Sequence, residues 1–240
     1  VELRDRIDYY EFLIGFIAHE VKNPLSAVVF FSRLMEEGGY GELKPRQREA
    51  VGHILANAAR IEHMVEDFLN LTRLEGGGDF LRLEPLHLHR DVVDPVLEAM
   101  ERKHLFAPDQ RGRFVCESPG EVVVRGDRAL LNVVFDNLFY NAVKYGREGG
   151  SIRYGWREDG DAARIHVVNE GLGVRKRDLK HIFVKFFRVR DPKMPERKGT
   201  GLGLYNVRRI VEMHRGMIEA DSRYGRYFAI HFTLPLDTPG

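Results

Sequence analysis

Two long stretches of apolar residues at helical spacing, separated by Gly38, Gly39 and Gly41, constrain this chain more than any other feature. In the first, over residues 3–37, Ile14, Ile17, Val21, Leu25, Val28 and Met35 fall on one stripe at about 100° per residue. In the second, Pro45 suits a first helical turn. Val51, Ile54, Leu55, Ala58, Ile61, Val65, Phe68, Leu69 and Thr72 then recur at helical spacing. The short connection predicts an antiparallel helical hairpin. One hairpin cannot hide both stripes, whereas two hairpins paired as a four-helix bundle can, so burial predicts a homodimer. Gly76, Gly77 and Gly78 read as a flexible linker and place a domain boundary between 1–78 and 79–240.

The first helix carries the segment FIAHEVKNPL. His19 projects opposite the apolar stripe, into water. Asn23 lies one turn further on the same side, and Glu20 reaches the imidazole from the flank. Pro24 removes the bond to the Glu20 carbonyl and predicts a kink, at a cost of ~3 kcal/mol in a plain helix. A solvent-facing imidazole beside a carboxylate suits a base or a nucleophile. Taken alone, such a pair is more often a solvated surface histidine; the rest of the chain decides.

Near the other end, RKGTGLGLYNVRRIVEMH puts Gly199, Gly201 and Gly203 on the approach to an amphipathic helix. Glycines let a backbone approach a ligand closely, and free N–H groups at a helix start favour phosphate. A second glycine pair, Gly171 and Gly173, follows the strand-like run ARIHVVN. Between the two lies IFVKFFR, with Phe183, Phe186 and Phe187. Upstream, LLNVVFDNLFYNAVKYG sets Asn137 and Asn141 one helical turn apart, with Lys144 and Tyr145 following.

In this order and spacing the segments resemble the phosphoacceptor, asparagine, first glycine, phenylalanine and second glycine boxes of the sensor histidine kinases of two-component signalling. The likeness runs from about Tyr10 to Pro235. It implies a dimerisation and phosphotransfer hairpin followed by a catalytic α/β sandwich of the histidine kinase, gyrase and Hsp90 ATPase type. It further implies ATP and Mg²⁺ as cofactors and a response-regulator receiver domain as partner.

The residues after the linker suit that architecture. LRLEPLHLH looks extended and residues 91–103 look helical. RFVCES and EVVVRGD look like strands joined by a turn at Pro119 and Gly120. SIRYGWRE and ARIHVVN form a hairpin around Asp159 and Gly160, and residues 216–220 and 227–234 supply two closing strands. Mixed strands with interspersed helices argue an α/β sandwich with helices on one sheet face.

Composition excludes several classes. Lys and Arg number 37 against 36 Asp and Glu, so nothing drives bulk attraction to nucleic acid or an anionic membrane. Cys116 is alone, so no internal disulfide is possible, and a reducing, cytoplasmic compartment is expected for this catalytic core. It reads as a small buried hydrophobe. No apolar run is long enough to span a bilayer. The family normally carries an input region upstream, sometimes with a membrane anchor.

The resemblance assigns His19 as nucleophile toward the γ-phosphate of ATP, Glu20 as general base, and Asn23 to a regulator phosphatase step. Asn141 would supply an oxygen to Mg²⁺, with Asn137 in support. Lys144 would approach phosphate, and Tyr145 would line the cleft. Asn169, Gly171 and Gly173 would frame the adenine, and Gly199, Thr200, Gly201, Leu202 and Gly203 the phosphates. Arg188, Arg190, Lys193, Arg197 and Lys198, with Pro192 and Pro195, read as a mobile basic lid, with Arg188 and Lys198 among the nucleotide contacts. The three phenylalanines read as packing.

Two departures stand out. Asn169 occupies the position of an aspartate that bonds the adenine amino group; its amide oxygen still accepts, but ~1 kcal/mol of affinity is expected to go. YGRYFAIHF lacks the small pair that many relatives carry before the final strand. An active autokinase, which phosphorylates itself and passes the group to a regulator aspartate, therefore stands beside a dimeric scaffold that binds ATP weakly. A chaperone- or topoisomerase-type ATPase would not need FIAHEVKNPL.

Overall fold

A computed structural model describes residues 2–75, 81–102, 105, 108–118, 120–191 and 199–237. Side chains are described from residue 15 onward, those of 108–110 excepted, so Ile14 lies outside them. Contacts divide the chain into two compact units, 1–78 and 79–240.

The first unit is a hairpin of α1 (Glu2–Glu36) and α2 (Pro45–Glu75). Pro45 opens α2, and Gln47 Oε1 accepts the Lys44 N–H at 2.8 Å, half of a capping box. Pro24 stands inside α1, which stays helical through it. The proline ring leaves the Glu20 carbonyl without its helical donor. Just beyond, Ser26 Oγ donates to the Lys22 carbonyl at 2.8 Å, a back-bond of the kind that bends helices.

The apolar stripes divide into two faces. Ala18, Leu25 and Ser32 of α1 are buried, as are Val51, Ala58, Leu71 and Leu74 of α2. Ile17, Val28 and Met35 of α1, and Ile54, Ile61 and Phe68 of α2, stay exposed within the single chain.

The second unit holds a five-stranded sheet. Its strands are β2 (Phe114–Cys116), β4 (Ile152–Asp159), β5 (Ala162–Glu170), β7 (Tyr227–Pro235) and β6 (Ile218–Arg223), in that spatial order. Only β2 and β4 run parallel. β1 (Glu84–His87) pairs with β3 (Val123–Gly126) in a separate two-stranded sheet. The helices are α3 (Asp94–Arg102), α4 (Arg128–Tyr145), α5 (Lys176–Leu179) and α6 (Gly203–Met213).

Alternation along β5 buries Ala163, Ile165, Val167 and Asn169. The core joins these to Phe135 and Phe139 of α4, Val207 and Ile210 of α6, and Phe232 of β7. The Phe135 and Phe232 rings meet edge on at 5.9 Å. The result is the expected α/β sandwich.

The helices that carry the site are tied at their far ends. Asp127 caps α4, accepting the Leu130 N–H at 3.1 Å and the Arg82 N–H at 2.9 Å. Its own N–H donates to buried His214 Nε2, at the end of α6, at 2.9 Å. His214 Nδ1 faces the Ile210 carbonyl at 2.8 Å, so the ring is the neutral Nδ1–H tautomer. Burial pushes its pKa below the ordinary histidine value.

Three expectations are corrected. RFVCES and EVVVRGD do contain strands, but β2 and β3 do not pair with each other. The first extends the main sheet beside β4, and the second buries Val124 opposite Leu86 of β1. Pro119 of the expected turn lies outside the described residues, as do Gly76, Gly77 and Gly78. The extended run ends at His87, because Leu88–Val93 form a π-helical turn that buries Leu88, Val92 and Val93. Asp91 Oδ2 accepts the His87 N–H there at 2.8 Å. Cys116 is half-buried rather than buried.

Candidate active site

On α1, His19 and Glu20 point to solvent, with side chains 73% and 59% exposed. Helical rotation sets His19 to one side of the buried row of Ala18, Leu25 and Ser32, and Glu20 nearly opposite Ala18. Glu20 Oε1 stands 4.0 Å from His19 Nδ1, beyond hydrogen-bond reach. Asn23, one turn on, brings its Nδ2 to 3.3 Å from the same nitrogen. The imidazole therefore has an amide against Nδ1 and a carboxylate close by.

In the second unit, α4 presents a polar face. Asn137 is 3% exposed, and its Nδ2 donates to the Val133 carbonyl at 3.0 Å. Its Oδ1 is buried without a donor among the described residues. The Lys144 ammonium lies over the rings of Tyr140 and Tyr145, at 5.4 and 5.2 Å.

The second glycine box folds against this face. A β-carbon on Gly203 would strike Asn137 Oδ1 and come within 3.9 Å of Asn141 Nδ2. One on Gly199 would lie 2.9 Å from Lys144 Nζ and 3.9 Å from the Tyr145 hydroxyl. Thr200 Oγ1 accepts the Leu202 N–H at 3.2 Å, and fully buried Leu202 anchors the start of α6. Gly201 holds φ at +73°, and its carbonyl accepts the Phe186 N–H at 3.0 Å. The N-cap of α6 is Leu202, which has no capping side chain, so the first N–H groups of the helix favour an anion.

The first glycine box closes the far end of α4. Gly171 lies so near the Tyr145 carbonyl that a β-carbon would come within 2.7 Å of it. Asn169 is 5% exposed, at the end of β5 on its covered face, with Nδ2 3.4 Å from the Glu170 carbonyl. Gly173, at φ +66°, packs against Ser222, Arg223 and Tyr227. Asn137, Asn141, Lys144, Tyr145 and both glycine boxes are thus brought together.

Other residues are placed differently. Arg188 is exposed, one residue past Phe187, whose carbonyl lies against Gly201. Pro192, Lys193, Pro195, Arg197 and Lys198 lie outside the described residues. Phe186 is not packing: it is 58% exposed with φ at 61°, held by its backbone bond to Gly201. Sequence reasoning passed over Arg175, Asp191 and Tyr224, which bond to one another beside the first glycine box. Their only signals were an aspartate among cations and the unusual turn before the last strand.

Family profiles match both units. That of the His Kinase A (phospho-acceptor) domain matches residues 11–77. That of the histidine kinase-, DNA gyrase B-, and HSP90-like ATPases matches residues 126–238. The chain belongs to the sensor histidine kinases.

This histidine kinase is 29% identical over 238 residues to the sensor histidine kinase AtsR of Burkholderia thailandensis, covering 95% of this chain and 37% of that protein. It is 29% identical over 223 residues to the circadian input-output histidine kinase CikA of Synechococcus elongatus, covering 92% of this chain and 29% of the relative. The kinase chain thus spans well under half the length of these two relatives. The crystal structure of full-length ShkA in complex with AMPPNP shares its fold, with a TM-score of 0.65 at 24% identity, over 95% of this chain and 46% of that one. Among the described residues, no helix of the kinase is long and apolar enough to cross a membrane.

Proposed function

We propose that residues 79–240 bind ATP with Mg²⁺ and phosphorylate His19 in the dimerisation and phosphotransfer unit, residues 1–78. The group then passes to an aspartate of a response-regulator receiver domain. The observation that carries this reading is the meeting of the α4 polar face with Gly199 and Gly203 around the donorless Asn137 Oδ1.

The residues fit a magnesium nucleotide. Mg²⁺ prefers oxygen donors, keeps several waters and shares phosphate oxygens. Asn137 Oδ1 and the Asn141 amide offer such oxygens on one helical face. Among the described residues no three acidic, histidine or cysteine side chains cluster to hold an ion unaided. When bound, Mg²⁺ would neutralise charge on the phosphates. Lys144 and the start of α6 add positive potential on the same side.

In the transfer, a lone pair of the His19 imidazole attacks the γ-phosphorus. A P–N bond forms, the bond to the bridging oxygen breaks, and ADP leaves with its electron pair. The other ring nitrogen gives its proton to Glu20, which closes from 4.0 Å to hydrogen-bond distance. Asn23 Nδ2 faces Nδ1 at 3.3 Å in the resting ring, where that nitrogen accepts; it yields Nδ1 to Glu20 in the tautomer that carries the proton there, and in the regulator phosphatase step Asn23 positions a water against the phospho-aspartate.

One observation favours a second reading, a dimeric scaffold that binds ATP weakly: buried Asn169, at the end of β5, takes the position at which the family resemblance expects an adenine-binding aspartate. Its carbonyl oxygen still accepts from an amino group, so Asn169→Asp is expected to change affinity by no more than ~10-fold.

The test is incubation with γ-labelled ATP and Mg²⁺. Wild type should take up acid-labile label, and His19→Gln should take up none while still binding ATP. Calorimetry that finds no binding to wild type at millimolar ATP would favour the scaffold.

A further inference from the structure

The turn between β6 and β7, at Tyr224, Gly225 and Arg226, reaches the first glycine box and the segment that follows Phe187. The Tyr224 hydroxyl donates to Asp191 Oδ2 at 2.9 Å. Arg175 Nε donates to the same oxygen at 3.0 Å, and its Nη2 donates to the Tyr224 hydroxyl at 3.2 Å. The guanidinium lies 4.5 Å over the Tyr224 ring. The Asp191 side chain is 2% exposed. A carboxylate so deeply buried persists only when paired and hydrogen-bonded, so the three groups hold one another.

Each comes from a different segment. Arg175 follows Gly173 and precedes α5. Asp191 is the last described residue before the basic stretch that ends at Gly199. The turn itself is fastened to the first glycine box: Gly225 N–H donates to the Leu172 carbonyl at 2.6 Å, and Gly171 N–H to the Arg226 carbonyl at 3.0 Å. Ser222 Oγ accepts the Val174 N–H at 2.8 Å.

We infer that Arg175, Asp191 and Tyr224 are positioning residues for ATP. They hold the first glycine box and residues 188–191, which follow the Phe186 bond to Gly201, at a fixed separation, so the nucleotide meets a pre-organised frame. They act through Gly173 and through the chain beyond Phe187. The inference rests on the nucleotide site proposed above. It gives the unusual turn a role: its tyrosine supplies the third side of the clamp.

The test is autophosphorylation with varied ATP for Tyr224→Phe and Asp191→Asn, with thermal unfolding alongside. Tyr224→Phe keeps the ring on Arg175 and loses both hydroxyl bonds. The KM for ATP is expected to rise about fivefold to tenfold, with kcat at saturating ATP within about twofold of wild type and the unfolding midpoint retained. Arg175→Ala and Asp191→Ala combined should cost less than the sum of the two alone. Should Asp191→Asn fail to fold, Tyr224→Phe alone decides. An unchanged KM in Tyr224→Phe, or a fall in kcat alone, would overturn the clamp. Wild type that binds no ATP would overturn the nucleotide reading, and the clamp with it.

Discussion

Gly203 and Asn137 face each other where α6 meets α4, with no room for a β-carbon between the glycine and the Asn137 carbonyl oxygen. That oxygen is buried and has no donor among the described residues. A methyl group there would fill the space from which the amide faces a ligand. Gly203→Ala is therefore expected to weaken ATP binding by about tenfold or more, ~1.4 kcal/mol, with the secondary structure intact. Calorimetry with Mg²⁺ and ATP reads the change, and wild-type affinity in the variant would remove this contact from the site.

The exposed face of the hairpin makes a second expectation. Ile54, Ile61 and Phe68 line one side of α2, while Ile17, Val28 and Met35 remain uncovered on α1. Pairing two hairpins would bury both rows. Charges placed there, Ile61→Asp with Phe68→Asp, should convert a dimer to a monomer in sedimentation equilibrium while the helices persist by circular dichroism. A wild-type chain that sediments as a monomer at micromolar concentration would contradict this pairing.

Asn23 touches His19 Nδ1 more closely than Glu20 does, at 3.3 Å against 4.0 Å. Asn23→Ala is expected to lose dephosphorylation of the phosphorylated regulator by about tenfold or more while keeping most autophosphorylation. Assaying both reactions on one preparation separates them. Equal loss of both, or of neither, would deny Asn23 a separate part in the reverse step.

His214 links the ends of α4 and α6 as a neutral base, and burial lowers its pKa from the ordinary 6.5. The unfolded chain then binds the proton more readily than the folded one. The stability from this group is fully present above about pH 6.5 and is lost as pH falls toward the folded value. Urea midpoints should drop from about pH 7.5 to about pH 5.5, and the drop should be shallower in His214→Gln. The variant should also lose about 1 kcal/mol at the higher pH, through poorer bonds to Asp127 and Ile210. An identical pH dependence in both proteins would exclude His214 as its source.

Local physics was legible in the sequence where neighbours in the chain decide the outcome. Pro45 opening α2, the exposure of His19, and the β4–β5 hairpin around Asp159 and Gly160 all follow from rotation, ring geometry or turn chemistry. Partner choice was not. The alternation in RFVCES and EVVVRGD marks strands, but period-two patterning does not name the neighbour, and the two entered different sheets.

At the candidate site, the packing of Gly171, Gly199 and Gly203 against α4 could be read because close approach restricts the residue types allowed there. The exposure of Phe186 could not, since its conformation is set by a backbone bond to Gly201. The clamp of Arg175, Asp191 and Tyr224 joins three distant segments, and no local pattern announces it.

Whether His19 carries the phosphoryl group is read most directly by phosphopeptide mapping at alkaline pH, where a phosphoramidate survives. After incubation with ATP and Mg²⁺, the group is expected on a ring nitrogen of His19 and on no other residue, and it should vanish on mild acid treatment. Phosphate on a serine, threonine or tyrosine, with His19 unmodified, would contradict the transfer proposed for this chain.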